Sequence, residues 1–147
     1  MRRDTGFTLL ELVVVLVILG VLAAVSIPAF SADPPDDPAS TAASELVSML
    51  RTARASALAR AEPVTLRIDP RTRAYSMTAE KGDSVEPIIK GVLALPEGIT
   101  LGAASTNALF RFASGGAARG DTLFVRGGGP VVTVWVDRWS GAPHVRH

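Results

Sequence analysis

Three regimes of hydrophobic patterning divide this chain. The first runs over residues 7–30, FTLLELVVVLVILGVLAAVSIPAF, where apolar side chains would surround any helix drawn through it. As a helix it extends roughly 36 Å, enough to cross a hydrocarbon core of about 30 Å. A helix packed on the core of a small domain keeps a polar stripe, and this one has none. The pattern therefore predicts a single membrane-spanning helix. Arg2 and Arg3 precede it with only Asp4 to offset them, which puts the N-terminus in the cytoplasm and all that follows the span outside.

The second regime has a period near 3.6. Between it and the span, residues 31–39 hold the run Asp33-Pro34-Pro35-Asp36-Asp37-Pro38, which favours an extended, solvated connector. Pro28 should end or loosen the membrane helix. Ser40 or Thr41 is then placed to cap a new helix through STAASELVSMLRTARASALARAE, with Glu45 in its early turns. Leu46, Leu50, Ala53, Ala57 and Ala61 fall on one stripe, flanked by Val47 and Leu58, opposite Ser44, Ser48, Arg51, Thr52, Ala55 and Ser56. Arg54 points into the apolar stripe, so a packed stem with its guanidinium bonded to sheet carbonyls or a carboxylate is expected. Subunit contact or ligand binding by Arg54 is the alternative.

After Pro63 the period falls to two. Val64, Leu66 and Ile68 alternate with Thr65 and Arg67, Asp69-Pro70-Arg71 reads as a turn, and 74–77 can return as a hairpin partner. Further short strands are expected at 99–101, 109–112, 122–126 and 131–136, with glycines 115–116 and 127–129 in the turns between them. One helix followed by short antiparallel strands is an α+β domain in which helix and sheets share a core. The expected organisation is a leader at 1–6, a span at 7–30, a linker at 31–39 and a globular domain at 40–147.

One residue violates the first pattern. Glu11 lies inside the apolar run, where an acidic group near the bilayer centre costs roughly 2.5–3.5 kcal/mol. An interfacial position at the helix N-terminus would relieve part of that cost, because the macrodipole favours an anion there. A second relief exists if the chain is cut between Gly6 and Phe7. The new α-amino group of a neighbouring copy could then neutralise Glu11 within the membrane.

These residues, a short basic leader MRRDTG followed by FTLLEL, resemble the class III signal of type IV prepilins and type II secretion pseudopilins. The resemblance implies that a prepilin peptidase cuts after Gly6 and N-methylates Phe7, and that Glu11 serves fibre assembly. An ordinary secretory signal peptide, with cleavage near Ala29-Phe30-Ser31, is the competing reading. Its apolar core usually runs only about 7–15 residues, and Glu11 stands inside this one.

Farther along, the Ala-Arg helix, a Phe-x-x-x-Gly loop at Phe112 to Gly116 and a final Asp-x-x-Ser-Gly at Asp137 to Gly141 are similar to the H-type (GspH-like) minor pseudopilins and their minor-pilin relatives. That family implies a β-sandwich-like domain behind the long helix. It also implies a place near the tip of a periplasmic pseudopilus and no catalysis.

Composition narrows the chemistry further. There is no cysteine, which removes disulfides, thiolate metal sites and a cysteine nucleophile. Gly82-Asp83-Ser84 has the look of a nucleophile motif, but His144 and His147, the only histidines, lie at the C-terminus, far from it in sequence. A serine enzyme needs a base in reach and an oriented third group, so no enzyme activity and no cofactor are expected. The two histidines with Asp137 could hold at most a stray cation, and no calcium-type carboxylate loop is present. The run 127–129 could offer amides to an anion, although a hairpin turn accounts for it.

Net charge is +1, giving no general case for a nucleic-acid partner. Five arginines after Ala108 (Arg111, Arg119, Arg126, Arg138 and Arg146), with Trp135 and Trp139 for stacking, keep DNA in view. The last loop, Gly141 to Arg146, supplies one arginine where DNA-binding relatives carry more, and this counts against DNA. The sequence reading is thus a minor pseudopilin of type II secretion. The resemblance implies that it is anchored once in the inner membrane, with its domain in the periplasm, and built into the pseudopilus. Its expected partners are prepilin peptidase, other pseudopilins, the inner-membrane secretion platform and exported substrates. A minor type IV pilin acting in fibre initiation or DNA uptake is the alternative.

Overall fold

The computed structural model describes residues 13–15 and 37–147. The chain forms two compact units, Met1–Pro34 and Pro35–His147. In the first, residues 13–15 are helical and their valines are exposed. The rest of the expected span and leader lies outside the described residues. Among the described residues, no helix is long and apolar enough to cross a membrane.

The second unit begins with helix α1 (Pro38–Arg60). Its start lies earlier than the cap expected at Ser40 or Thr41. Asp37 is the N-cap: its Oδ1 accepts from Ala39 N–H at 3.1 Å, and its carbonyl accepts from the N–H groups of Ser40 and Thr41. Pro38 follows at the first helical position, where its missing N–H deprives the helix of nothing and its fixed φ is already helical. The proline that reads as a helix breaker is thus part of the helix start. At the other end Ala61 takes the left-handed conformation (φ 53°), its N–H bonds to Leu58 O, and Pro63 soon follows.

The buried face of α1 comprises Ala39, Ala42, Ala43, Leu46, Val47, Leu50, Ala53 and Ala57, together with Ser40. The five small alanines let the helix backbone approach both sheets, while Leu46 and Leu50 fill the space between. Each leucine so buried contributes about 1.5–3 kcal/mol. One member of the expected stripe and one flanking residue fall outside it: Ala61 is the cap residue, and Leu58 is exposed at the helix end.

Nine strands follow: β1 (Val64–Ile68), β2 (Ala74–Lys81), β3 (Ser84–Val92), β4 (Thr100–Ala103), β5 (Ala108–Phe112), β6 (Ala118–Gly120), β7 (Leu123–Arg126), β8 (Val132–Val136) and β9 (Pro143–Arg146). They pair antiparallel into a five-stranded sheet, β3-β2-β1-β5-β6, and a four-stranded sheet, β4-β7-β8-β9. Helix α1 touches β1 and β5 of the first and β7, β8 and β9 of the second. The three elements close on one core, in which Leu66, Ile68, Phe110, Phe112, Val125 and Val134 are fully buried. Alternation sets this arrangement: in β5 Ala108, Phe110 and Phe112 turn inward while Leu109 and Arg111 face out. The α+β class expected from the pattern is the one observed.

Three strands do not show in the sequence pattern. Strand β3, SVEPIIKGV, is an edge strand with Pro87 in it and a register shift opposite Met77 and Thr78. Proline and a bulge are tolerated at an edge, and both erase the period of two. Strand β6 is only Ala118–Gly120, and β9 is held by its register against β8, Trp135 opposite His144 and Val136 opposite Pro143. Gly82-Asp83 is the turn of the β2–β3 hairpin, with Lys81 opposite Ser84.

Candidate functional site: an arginine and tryptophan cleft between the sheets

Two loops meet where the sheets join. The β5–β6 loop turns through Ala113–Ala117, closed by Ala113 N–H to Ala117 O and Gly116 N–H to Ala113 O. The β8–β9 turn runs from Asp137 to Gly141. Ala118 N–H donates to Arg138 O at 3.1 Å, so the first residue of β6 is stitched to that turn. Both sequence motifs singled out late in the chain, Phe112 to Gly116 and Asp137 to Gly141, therefore lie side by side.

The turn is held by its own carboxylate. Asp137 Oδ1 accepts from Trp139 N–H (3.1 Å), Ser140 N–H (2.7 Å) and Ser140 Oγ–H (2.7 Å). Gly141 N–H closes it on Asp137 O, and Ala142 N–H bonds to Ser140 Oγ. These bonds, led by the Ser140 N–H, hold the Asp137 carboxyl below the ordinary aspartate range. The consequence is a rigid turn that presents Trp139 outward, 82% exposed. The Arg138 guanidinium lies 5.8 Å from the Trp139 ring centroid, within cation–π range.

A cleft of about 250 Å³ opens beside this turn, lined by Arg111, Ala113, Ala118, Arg119, Arg138 and Trp139. Arg111 and Arg119 are directly opposite one another on β5 and β6, an unfavourable like-charge pair. Arg111 is answered by Glu80 in a two-pronged contact, Nε to Oε1 at 2.9 Å and Nη2 to Oε2. That guanidinium, helped by Thr65, draws the Glu80 carboxyl below its usual range. Among the described residues Arg119 and Arg138 have no carboxylate within ion-pair distance. The cleft is thus cationic on one side and aromatic on the other. It contains no nucleophile paired with a base.

The other expected residues fall elsewhere. Gly6, Phe7 and Glu11 lie outside the described residues. Arg54 packs its stem as expected, with Gly116 and Gly141 against it, but its buried Nε has no hydrogen-bond partner among the described residues. From Nε, therefore, the expected guanidinium bond to a sheet carbonyl or carboxylate is not made among the described residues. Trp135 is covered by its own sheet: His144 stacks on it (centroids 5.5 Å apart) and Arg146 lies 5.5 Å from the ring centroid. The two histidines diverge, since His147 Nδ1 lies 3.4 Å from Ser40 Oγ at the start of α1. Among the described residues no cluster of three or more metal-ligating side chains occurs. Arg126 sits apart, over Phe124. The five C-terminal arginines therefore form no single track, and only Arg111, Arg119 and Arg138 come together. Sequence reasoning had each of these residues but not their grouping, which depends on β6 meeting the turn after β8.

A helix laid across two antiparallel sheets is the fold of pilin-like structural subunits, and known structures bear this out. The minor pseudopilin EpsH from the type II secretion system of Vibrio cholerae superposes with a TM-score of 0.57 at 18% identity, covering 75% of this chain and 97% of its own. The type IV minor pilin FimU of Pseudomonas aeruginosa gives 0.55 at 17% identity, covering 73% and 91%. In sequence, residues 1–27 match the prokaryotic N-terminal methylation motif and residues 42–140 match the type II transport protein GspH family. The chain belongs to the GspH family. No curated protein matches it.

Proposed function

We propose that this chain is a minor pseudopilin of a type II secretion system, a structural subunit without enzymatic activity. The observation that carries the reading is the pairing, on one chain, of the methylation motif at residues 1–27 with the GspH family over residues 42–140. In this reading prepilin peptidase removes residues 1–6 and methylates Phe7. Residues 7–30 anchor the subunit once in the inner membrane and then enter the fibre. Glu11 meets the amino group of a neighbouring pseudopilin, and residues 40–147 stand in the periplasm, facing other pseudopilins and exported proteins.

Intact-mass measurement of the protein from its host tests this. Loss of residues 1–6 and a single added methyl group on Phe7 are expected. A mature N-terminus after Ser31 or Ala32 would instead mark ordinary secretion and end the reading.

A second reading, a minor type IV pilin acting in fibre initiation or DNA uptake, has one observation in its favour: FimU matches the fold about as well as EpsH does. Deletion of the gene separates the two. Loss of exported proteins from the medium with pili intact supports the secretion role, and loss of pili or of DNA uptake with secretion intact supports the other.

A further inference from the structure

We propose that the cleft formed by Arg119, Arg138 and Trp139 is a docking site for a short, acidic, extended segment of a partner protein. The proposal stands apart from the assembly role, since it requires neither cleavage at Gly6 nor the membrane helix.

Four observations carry it. Trp139 is 82% exposed, yet it is not on a loose loop: the Asp137 carboxylate and Ser140 hydroxyl lock the turn beneath it. A large aromatic surface held rigidly in water loses little further freedom when a partner covers it, which is why tryptophan and arginine dominate protein interfaces. Arg119 and Arg138 stand beside it with no carboxylate partner among the described residues, and their segments are joined by the Ala118 to Arg138 hydrogen bond. Glu80 already shows how a carboxylate is received on this face, gripping Arg111 with both oxygens. An incoming acidic segment would repeat that contact on the two unanswered guanidinia.

The same surface argues against a polyanion. Glu80 flanks Arg111, and Asp121 lines the neighbouring hollow with Arg111 and Arg119. A phosphate backbone running on past the cleft would meet these carboxylates, which a segment with only two acidic side chains need not approach. An extended chain places side chains i and i+2 on one side about 6–7 Å apart, so two acidic residues so placed can face the cleft together. A proline or apolar residue at i+4, on that same side of the chain, would lie on Trp139, as proline-rich segments lie on aromatic grooves.

The test titrates full-length protein in a nonionic detergent with labelled probes, following anisotropy and Trp139 emission. The acidic probe is the octapeptide Ser-Ala-Asp-Ser-Asp-Ser-Pro-Ala with blocked ends; the controls are its Asp→Asn version, an oligothymidylate and inorganic phosphate. Expected is saturable binding of the acidic peptide with altered Trp139 emission, weakening with salt. Arg119→Ala, Arg138→Ala and Trp139→Ala should each weaken it at least about tenfold, and Arg126→Ala, on a different part of the surface, should leave it unchanged. Unchanged thermal midpoints for these exposed substitutions tie the loss to the cleft rather than to unfolding. Equal binding of the Asn peptide, or insensitivity to all three cleft variants, would overturn the proposal. So would tighter binding of the oligothymidylate that the same variants abolish, which would make this a nucleic-acid surface. Displacement of the peptide by an equal concentration of phosphate would reduce it to a simple anion site.

Discussion

Gly141 rests directly on the backbone of Gly116. A Cβ added to Gly141 would fall inside the contact radius of the Gly116 carbonyl oxygen and lie 3.3 Å from Arg54 Cδ. Both glycines have positive φ, 88° at Gly116 and 67° at Gly141. The loop after β5 and the turn after β8 can approach this closely only because neither carries a side chain there. This contact over the Arg54 stem holds together the corner from which Arg138 and Trp139 project.

Gly141→Ala should therefore be among the more damaging single-methyl changes in the domain. It adds left-handed strain of about 1 kcal/mol to a clash with rigid backbone, and a total loss of about 2–4 kcal/mol is expected. Chemical denaturation of the two proteins measures it, and Trp139 emission should change in the native baseline as the turn shifts. A loss below about 0.5 kcal/mol would mean that the corner yields.

Acid should loosen the same turn. The Asp137 carboxyl is held low by the Ser140 and Trp139 N–H groups, and Asp69 is held low in the same way by Arg71 and Thr72 ahead of β2. A carboxyl whose folded value lies below its unfolded one stabilises the fold above the unfolded value. That contribution is lost as pH falls through the folded value. Thermal midpoints should hold steady from about pH 7 to about pH 5 and drop below about pH 4. Asp137→Asn keeps the acceptor oxygen without the charge, so its midpoint should depend less steeply on pH in that acid window. An identical acid limb in both proteins would remove Asp137 from the account.

The core prediction concerns Leu50, fully buried between α1 and the sheets. Leu50→Ala should destabilise by about 2–5 kcal/mol, the transfer term plus an unfilled cavity. Leu58→Ala, on the exposed end of the helix although next to the same stripe in sequence, should stay within about 1 kcal/mol. Equilibrium unfolding by circular dichroism distinguishes them, and equal effects would show that the stripe extends past Ala57.

The Glu80 and Arg111 pair should matter little to stability. Both side chains are partly exposed, at 34% and 55%, and surface pairs contribute about 0–1 kcal/mol. Glu80→Gln should leave the unfolding midpoint nearly unchanged while freeing a third guanidinium at the cleft, so affinity for the acidic octapeptide should rise. A fall in affinity would mean that Glu80 positions Arg111 for the partner.

Glu11→Ala tests the assembly role in the living host. Removing a carboxylate from an apolar helix relieves an insertion cost, so membrane insertion should be retained. Recovery of the subunit in sheared or cross-linked fibres should fall. Full incorporation of the variant would leave Glu11 as a helix-end residue only.

Hydrophobic periodicity alone determined much of the domain's architecture: the 3.6-residue stripe through Leu46, Leu50, Ala53 and Ala57, and the alternation of Val64, Leu66 and Ile68. These are local patterns, legible because a helix or strand sorts its own side chains by fixed geometry. The start of α1 was misread by a few residues because proline breaks helices in their interior yet suits their first position, and only the Asp37 cap reveals which applies. Strands β3 and β9 were hidden because both are edge strands, which need no alternation. The cleft was hidden for a deeper reason. Arg119 lies on β6 of one sheet and Arg138 in the turn that joins two strands of the other, the two segments meeting at the hydrogen bond from Ala118 to Arg138, and Trp139 reads as either core or surface until the turn that displays it is built. Non-local pairing between two sheets leaves no period in the sequence, so the domain class could be read from the chain while the cleft was decided by tertiary structure.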